Sequence, residues 1–239
     1  MISKAEIKEI RSLSQKKFRD SLGLFVVEGE KLVNEALQSD FEVVKVFRIS
    51  DIGEEMMSRI TLLSSPSPAL AVVRIPKAPG LPGIKSIIEN PNVSLALDSV
   101  RDPGNMGTII RIADWFGIEA IFASEDSVDI YNPKVVQATM GAIFRKKVIY
   151  CDLCTILRSY REAGKPVYGT FLEGKDINSI KLSGDGIIVM GSESNGISDK
   201  VAEHVSRKLF IPPYPAGSNT SESLNVAVAT AITCAAFRR

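Results

Sequence analysis

The sequence predicts an α/β protein in which a small α/β domain precedes a larger domain built on a mostly parallel sheet. Three observations lead to this prediction. From residue 91 onward, apolar segments typical of buried strands alternate with helical segments, which favours a parallel sheet with helices on both faces. Residues 76–83 (PKAPGLPG) contain three prolines and two glycines, which is typical of a linker. Three loops rich in small or polar residues follow strands of the second part, at the edge where such sheets bind ligands.

The composition is that of an ordinary globular protein. Hydrophobic residues make up 45% and charged residues 24% of the 239 residues, enough to bury a sizeable core. The formal net charge of +1 excludes a supercharged protein but allows a local basic surface. No apolar run reaches the roughly 20 residues that span a bilayer, and the N-terminal segment has no apolar stretch of the signal-peptide type. We therefore expect a cytoplasmic protein with no membrane partner.

The chain is predicted to divide into residues 1–75, a linker at 76–90 and a second domain at 91–239. The first part is predicted to run helix, helix, strand, helix, strand. The segments that carry this prediction are the amphipathic helix KAEIKEIRSLSQKKF, the helix EGEKLVNEALQS, and the strands FEVVKVFRI and ALAVVRI. The second part is predicted to alternate between strands (VSLALD, IEAIFAS, KVIYC, PVYGTFLEG, GIIVM, SRKLFIP) and helices (NMGTIIRIADWFG, NPKVVQATMGAIF, residues 152–164 and SESLNVAVATAITCAAFRR).

The first of the three loops reads DPGNMGTIIRIA and introduces one arginine into an apolar helix. Asn105 is predicted to cap this helix. Side chains lean toward the helix N-terminus, so Arg111 is expected to reach back over Gly107 and to form an anion site with the free N–H groups there. Alternatively, Arg111 pairs with Asp114 on a solvated face.

The second and third loops are GSESNG and PPYPAGSNTSE, and the third leads into the helical segment SESLNVAVATAI. GSESNG matches neither a P-loop nor a dinucleotide fingerprint, and on spacing alone it is a tight turn. Glu193 nevertheless places a charge where sheets of this kind bind ligands. In the last helix, Leu224, Val228 and Ile232 are predicted to form a core-facing stripe, with Ser221 or Ser223 as the cap. Ser223 and Asn225 either cap this helix or point into the site.

The three cysteines do not predict a disulfide framework. Cys151 and Cys154 form a lone C-x-x-C after a strand, where a redox pair could lie. We favour the simpler interpretation, in which Asp152 caps the following helix and the cysteines are incidental. A zinc site is disfavoured because the chain offers only one further cysteine and one histidine, His204, so we expect no metal.

Three segments, in this order, resemble the three motifs of the SpoU (TrmH) family of RNA ribose 2'-O-methyltransferases in the SPOUT superfamily. They are DSVRDPGNMGTIIRIA, VMGSESNGIS and IPPYPAGSNTSESLNVAVATA, and together they cover the second part. SQKKFRDSLGLFVVEGEKLVNEAL is similar to the small RNA-binding (SpoU substrate-binding) domain that many members carry. One departure is Ser194, where many members have glycine.

The resemblance implies a knotted domain whose C-terminal segment passes through a loop, S-adenosylmethionine as the methyl donor, an RNA substrate, and a homodimer packed through the knotted domains. The implied catalytic residues are Asn105, Arg111, Glu193, Ser223 and Asn225. The implied donor-binding positions are Thr170, Leu172, Gly191, Ile211 and Leu224.

The family proposal makes the motif-one arginine a general base, but a guanidinium stays protonated in proteins. We expect instead that Arg111 binds the adjacent phosphate, orients the ribose and stabilises the developing alkoxide. In this hypothesis Asn105 and Glu193 fix Arg111, while Ser223 and Asn225 position the ribose or the donor.

Residues 1–19 contain six basic and two acidic side chains, which on composition alone is typical of a solvated helix face. With the resemblance, we expect Lys16, Lys17 and Arg19 to bind RNA, and the type of leading domain favours ribosomal RNA over tRNA. The alternatives are a tRNA ribose 2'-O-methyltransferase, a non-catalytic RNA-binding factor of the same fold, and a nucleotide-binding enzyme suggested by the glycine-rich loops.

Overall fold

The computed structural model describes residues 2–215, 218 and 221–238. The chain divides into two compact units, the first comprising residues 1–77 and 129–145 and the second residues 78–128 and 146–239. The strands are β1 Leu24–Glu28, β2 Val43–Arg48, β3 Ala69–Arg74, β4 Val93–Leu97, β5 Ala120–Ala123, β6 Lys147–Tyr150, β7 Val167–Asp176, β8 Gly186–Met190 and β9 Arg207–Phe210. The helices are α1 Lys4–Ser12, α2 Lys16–Leu22, α3 Glu30–Leu37, α4 Ile49–Ile52, α5 Glu54–Ile60, α6 Leu81–Glu89, α7 Pro103–Trp115, α8 Pro133–Thr139, α9 Leu153–Glu162, α10 Asp199–Ala202 and α11 Val226–Ala236.

The first unit is a three-stranded antiparallel sheet, in the order β1-β3-β2, with helices on both faces. Side chains alternate between the two faces of β1, as the pleat requires. Phe25 and Val27 pack with α3 and α8, whereas Val26 packs with α1 and α5. The predicted small α/β domain is therefore present, but it also contains residues 129–145, which lie outside its predicted range.

Two sequence predictions for the first unit need correction. The single helix predicted for residues 4–18 is two helices, α1 and α2, because Ser12 and Ser14 turn their hydroxyls onto carbonyls three residues earlier and the chain bends there. The strand β1 was not predicted, since its apolar run LFVV is short and directly precedes the helix α3.

Arg19 is also placed differently from its prediction as an RNA-binding residue. Its side chain is only 2% exposed, and its Nη2 and Nε donate to Asp129 Oδ2 at 2.6 and 3.0 Å. Its Nη1 donates to the Leu13 carbonyl at 2.8 Å. An arginine whose charge is neutralised inside the protein is not available for RNA, and it instead attaches residues 129–145 to α2.

The second unit has six parallel strands in the order β6-β5-β4-β8-β7-β9, which confirms the predicted parallel α/β sheet. One face is covered by α6 and α9. The helix α6 lies inside the predicted linker 76–90, so that prediction is wrong for residues 81–89. Pro82 is accommodated in the first turn, where its missing N–H is not needed, and Ile87 and Ile88 are buried.

The helices α7 and α11 pack side by side and are joined at both ends. At their N-terminal ends, Asn225 Nδ2 donates to Asn105 Oδ1 at 2.9 Å. At their C-terminal ends, Arg238 donates to the carbonyls of Phe116 and Gly117 at 2.7 and 2.8 Å. The two helices therefore run in the same direction, with both N-termini at one place.

The predicted start and core-facing stripe of the last helix are wrong. The helix α11 begins after Asn225, and not at Ser221 or Ser223, because the Asn225 side chain accepts from the N–H groups of Ala227 and Val228. Three predicted core residues are exposed instead, since α11 turns its small and buried side chains toward α7 and the sheet. Their exposed fractions are 48% for Leu224, 49% for Val228 and 38% for Ile232.

Within the described ranges, no helix is long and apolar enough to cross a bilayer.

Replacing Arg19 by Met tests the buried ion pair. The change removes the charged partner of the Asp129 carboxylate, whose side chain is only 14% exposed, so we expect it to lower the free energy of unfolding by about 3 kcal/mol. Urea unfolding followed by circular dichroism measures the loss. Lys16→Met is the matched control, because the Lys16–Asp20 pair is 65% and 55% exposed and contributes little. Equal effects of the two substitutions would contradict the structural role of Arg19.

Candidate functional site

The candidate site lies at the carboxyl ends of the central strands, where three segments distant in sequence meet. The first segment follows β4 and leads into α7, the second follows β8, and the third leads from β9 to α11. Parallel strands place all their carboxyl ends on one edge, which brings such segments together. Residues 216–217 and 219–220 of the third segment lie outside the described residues.

One chain of hydrogen bonds links the three segments. Asn105 Nδ2 donates to Glu193 Oε1 at 2.8 Å, and Asn105 Oδ1 accepts from Asn225 Nδ2 at 2.9 Å. Asn225 uses its own side-chain oxygen to cap α11. Asn105 suits the central position because an amide is both a donor and an acceptor. Three residues predicted from the sequence are therefore brought into direct contact.

The cap of α7 explains why the Asn105 side chain is available. The predicted N-cap was Asn105, but Asp102 has this role, and its Oδ1 accepts from the Asn105 N–H at 2.8 Å. Asn105 therefore lies in the first turn with its amide directed at the other two segments. The Glu193 carboxylate is bound next to the N-terminal ends of α7 and α11, whose dipoles both favour a negative charge there.

Two aspartates that the sequence analysis did not single out hold the surrounding loops. Asp98 is 3% exposed, and its Oδ2 accepts from the N–H and hydroxyl of Ser198 at 2.8 and 2.7 Å, which joins β4 to the end of the second segment. Asp126 accepts hydrogen bonds from the side chains of Arg101, Ser99 and Ser124. These bonds hold the pKa of Asp126 well below its usual range, and the bond from Arg101 has the largest effect. Asp98 is the first residue of the segment DSVRDPGNMGTIIRIA, and Asp126 lies outside the three motif-like segments.

A cavity of about 1030 Å³ opens between the second segment, the third segment and the middle of β7. The five predicted donor-binding positions, Thr170, Leu172, Gly191, Ile211 and Leu224, all line it, as do Glu193 and Ser223. At Gly191 a Cβ atom would lie 2.0 Å from the Gly196 carbonyl carbon. Only glycine therefore fits at position 191, where the two ends of the second loop approach each other in the cavity wall.

Arg111 is not among the residues that line this cavity. It lies on the exposed face of α7 with Thr108 and Trp115, and it makes no hydrogen bond or ion pair with any described residue. The hypothesis that Asn105 and Glu193 fix Arg111 is therefore wrong, because those two side chains bond to each other. The alternative pair with Asp114 is not formed either.

Comparison with known proteins identifies the family. The model of the SpoU rRNA methylase family matches residues 92–235, and the model of an MRM3-like substrate binding domain matches residues 4–71. This chain belongs to the SpoU rRNA methylase family. The predicted resemblance and the predicted class of enzyme, an RNA methyltransferase, are thereby confirmed.

Similar proteins cover nearly the whole chain. The 23S rRNA (guanosine(2553)-2'-O)-methyltransferase RlmP of Bacillus subtilis is 30% identical over 95% of this chain and 93% of its own length. The AdoMet-bound rRNA methyltransferase from Sinorhizobium meliloti, whose structure is known, is 29% identical in sequence to this chain. The two structures superpose with a TM-score of 0.87 over 100% of this chain and 96% of the Sinorhizobium chain. The chain is thus similar to both of these family members in both of its units.

The Cys151–Cys154 pair has the environment of structural cysteines. Asp152 caps α9 through the N–H groups of Cys154 and Thr155, as predicted. Burial raises the pKa of the Cys151 thiol to about 11 and also raises the pKa of Cys154, whereas a redox-active thiol needs a lowered pKa. In the part of the chain that the structure describes, no group of three His, Cys, Asp or Glu side chains could hold a metal ion.

Substituting Asn105 by Asp tests the hydrogen-bond chain. The new carboxylate would face Glu193 without a proton to donate, so we expect the free energy of unfolding of the second unit to fall by about 1–2 kcal/mol. Unfolding is followed by circular dichroism in a series of urea concentrations.

Combining Asn105→Asp with Glu193→Gln restores a donor opposite the new acceptor, and most of the lost stability should return. Asn90→Asp makes the same charge change at an exposed position away from the site. The hydrogen-bond chain would be refuted by a double variant that is no more stable than Asn105→Asp alone.

Proposed function

We propose that this chain transfers a methyl group from S-adenosylmethionine to a ribose 2'-hydroxyl of ribosomal RNA. The observation that carries the proposal is the cavity whose wall includes Glu193, the residue that the Asn105–Asn225 pair holds at the sheet edge. The names of the Bacillus and Sinorhizobium proteins support ribosomal RNA as the substrate class.

The residues that line the cavity fit the proposed donor. A volume of about 1030 Å³ is large enough for a donor and part of a nucleotide. Leu172, Met190, Ile211 and Leu224 offer an apolar side for a purine, and Glu193 and several hydroxyl groups offer a polar side for a ribose and an amino acid. Gly191 follows β8, and Thr170 and Leu172 lie in β7 just beyond its pairing with β8, where backbone groups can bind the donor. Bound S-adenosylmethionine supplies an electrophilic methyl group on its sulfonium sulfur.

The chain's own residues then have to position the ribose. A 2'-hydroxyl is a poor nucleophile, so in-line placement accounts for a large part of the rate. Ser223 lines the cavity and is exposed, which makes its hydroxyl available to the ribose or to the donor. Asn225 and Asn105 hold Glu193 and do not need to contact RNA themselves. Arg111, exposed and unpaired among the described residues, is available to bind the phosphate next to the target nucleotide.

The first unit is proposed to bind the RNA. Lys16 and Lys17 are exposed on α2 and remain candidates for contacts to the RNA backbone, whereas Arg19 is excluded by its burial. The match to a substrate binding domain over residues 4–71 supports this assignment.

We also propose a knotted second unit, as the family resemblance implies. The strand β9 is at one edge of the sheet, yet α11, which follows it, packs on α7, and α7 contacts β5 in the other half of the sheet. The helix α11 thus lies away from the edge strand that precedes it, which is compatible with passage of the C-terminal segment through a loop.

A homodimer through the second unit is supported by exposed apolar side chains on α11 and α7. Val228 and Ile232 lie one turn apart on α11, Leu224 lies just before its cap, and Trp115 on α7 is 85% exposed. Apolar groups gathered in this way are typical of an interaction surface.

Replacing Val228 by Asp tests this surface. A carboxylate at this surface would have to be desolvated on association, so we expect a dimer for the unchanged protein and a monomer for the variant in sedimentation velocity at micromolar concentration. Val44→Asp is the matched control, because Val44 is similarly exposed (47%) but lies on β2 of the first unit. Dissociation by both substitutions, or by neither, would argue against this interface.

The activity is tested by transfer of labelled methyl groups to ribosomal RNA and, in parallel, to tRNA. We expect incorporation into ribosomal RNA at a nucleotide that becomes resistant to alkaline cleavage, because a methylated 2'-oxygen cannot attack the neighbouring phosphate. Label in a base, or label in tRNA alone, would overturn the proposed reaction or substrate.

Arg111→Lys serves as a charge-retaining variant in the same assay. An ammonium cannot replace the planar bidentate contact of a guanidinium with phosphate, so we expect kcat/KM to fall about 100-fold. Binding of S-adenosylhomocysteine, measured by calorimetry, should not change, since Arg111 does not line the cavity. Near-normal activity of the lysine variant would remove Arg111 from the orienting role.

A further inference from the structure

A second cavity, of about 270 Å³, lies entirely within the first unit. It is formed between the end of α1, the turn after it, the end of α5 and the loop of residues 61–67 that precedes β3. Its lining consists of Arg11, Ser14, Ser58, Thr61, Leu62, Leu63, Ser64 and Pro66. The lining thus carries one positive charge, four hydroxyl groups and no carboxylate.

The loop that forms one wall is held from behind by a buried carboxylate. Glu28 is 2% exposed, and it accepts from the Thr61 hydroxyl at 2.5 Å and from the Leu62 N–H at 2.7 Å. Thr61 Oγ1 in turn accepts from the Leu63 N–H at 3.2 Å. At the other end of the loop, Ser67 donates to the Ala69 carbonyl at 2.8 Å. The loop is therefore fixed at both ends, and the cavity is preformed.

The polar groups of the cavity divide into donors and acceptors. Arg11 Nη1 donates to the Arg59 carbonyl at 3.3 Å, which orients the guanidinium and leaves its other N–H groups available. Ser64 makes no hydrogen bond to any described residue, so its hydroxyl and N–H are available too. The hydroxyl protons of Ser14 and Ser58 are committed to backbone carbonyls, so these two oxygens present lone pairs only.

A basic stripe leads along α1 to this cavity. Lys4, Lys8 and Arg11 stand at intervals of four and three residues, which places them on one face of the helix. All three are exposed, and none forms an ion pair with a described residue. A row of unpaired cations is suited to following a phosphate backbone, and a cavity at its end is suited to one unit of that polymer.

We propose that this cavity receives a single unpaired nucleotide of the RNA substrate, with its phosphate on Arg11 and Ser64. The acceptor oxygens of Ser14 and Ser58 then face the donor groups of the nucleotide, and Leu62, Leu63 and Pro66 offer an apolar surface to its base. RNA is read most readily at unpaired nucleotides of this kind, whose bases are free to leave the stack. The inference rests on the proposed function for the identity of the polymer, but not for the geometry of the cavity.

The test uses the full chain and a fluorescein-labelled single-stranded 12-nucleotide RNA of mixed sequence, with binding followed by fluorescence anisotropy over a series of salt concentrations. Arg11→Gln is expected to raise Kd about tenfold and to reduce the slope of log K against log salt by about 0.7, the value for one lost phosphate contact to a single strand. Ser64→Asp, which places a negative charge where the phosphate is expected, should weaken binding at least as much.

Two matched controls lie on α3, which packs on the opposite face of the sheet from α1 and α5. Lys31→Gln removes one exposed positive charge and Asn34→Asp adds one negative charge, as the two test substitutions do. Both controls are expected to change Kd less than twofold. A perfect duplex of the same sequence should be insensitive to Arg11→Gln and Ser64→Asp, since it offers no unpaired nucleotide.

The outcomes separate this proposal from the proposed function. Any of three results overturns the nucleotide cavity, whether or not the chain methylates RNA. They are an unchanged salt slope for Arg11→Gln, a rise in Kd for the α3 controls as large as that for the test variants, and a rise in Kd for the duplex as large as that for the single strand. Absence of methyl transfer by the unchanged protein, with RNA binding still dependent on Arg11 and Ser64, overturns the proposed reaction and supports the cavity. S-adenosylhomocysteine binding measured by calorimetry should be the same in all four variants, and its loss with Arg11→Gln would point to general misfolding and overturn the local role.

Discussion

The amide of Asn105 is the connection on which the candidate site depends. It donates a hydrogen bond to Glu193, 88 residues away in the sequence, and accepts one from Asn225, 120 residues away. A carboxylate could not donate to Glu193, and an apolar side chain could do neither. The position of Glu193 at the cavity is thus determined by one side chain with two different hydrogen-bonding atoms.

The fold prepares this connection in advance. The six parallel strands bring their carboxyl ends to one edge, and α7 and α11 lie side by side because they are joined near both of their ends. Their N-terminal dipoles make the edge favourable for the Glu193 carboxylate. Asp98 and Asp126 fix the neighbouring loops, so that little conformational entropy remains to be lost when a ligand binds.

The two units carry different chemistry. The second unit holds the large cavity, and α7 and α11 carry exposed apolar groups. The first unit holds the basic stripe of α1 and the small cavity beside Arg11, which are suited to a polyanion. A substrate as large as ribosomal RNA fits this division, because phosphate contacts can supply affinity separately from the groups that act in the reaction.

Local patterns in the sequence determined the alternation of strands and helices, the division near residue 76, the three loops at the sheet edge and the Asp152 cap, because each of these depends on neighbouring residues. Tertiary structure decided which of several capping residues is used: Asp102 and Asn225 cap their helices, and Asn105 is thereby released for the site. It also buried Arg19, since Asp129, 110 residues away, neutralises a charge that looked solvated on its own helix. Finally, the tertiary structure leaves Leu224, Val228 and Ile232 exposed. The sequence could not predict this, because helical periodicity shows which residues share a face but not whether another part of the chain covers that face.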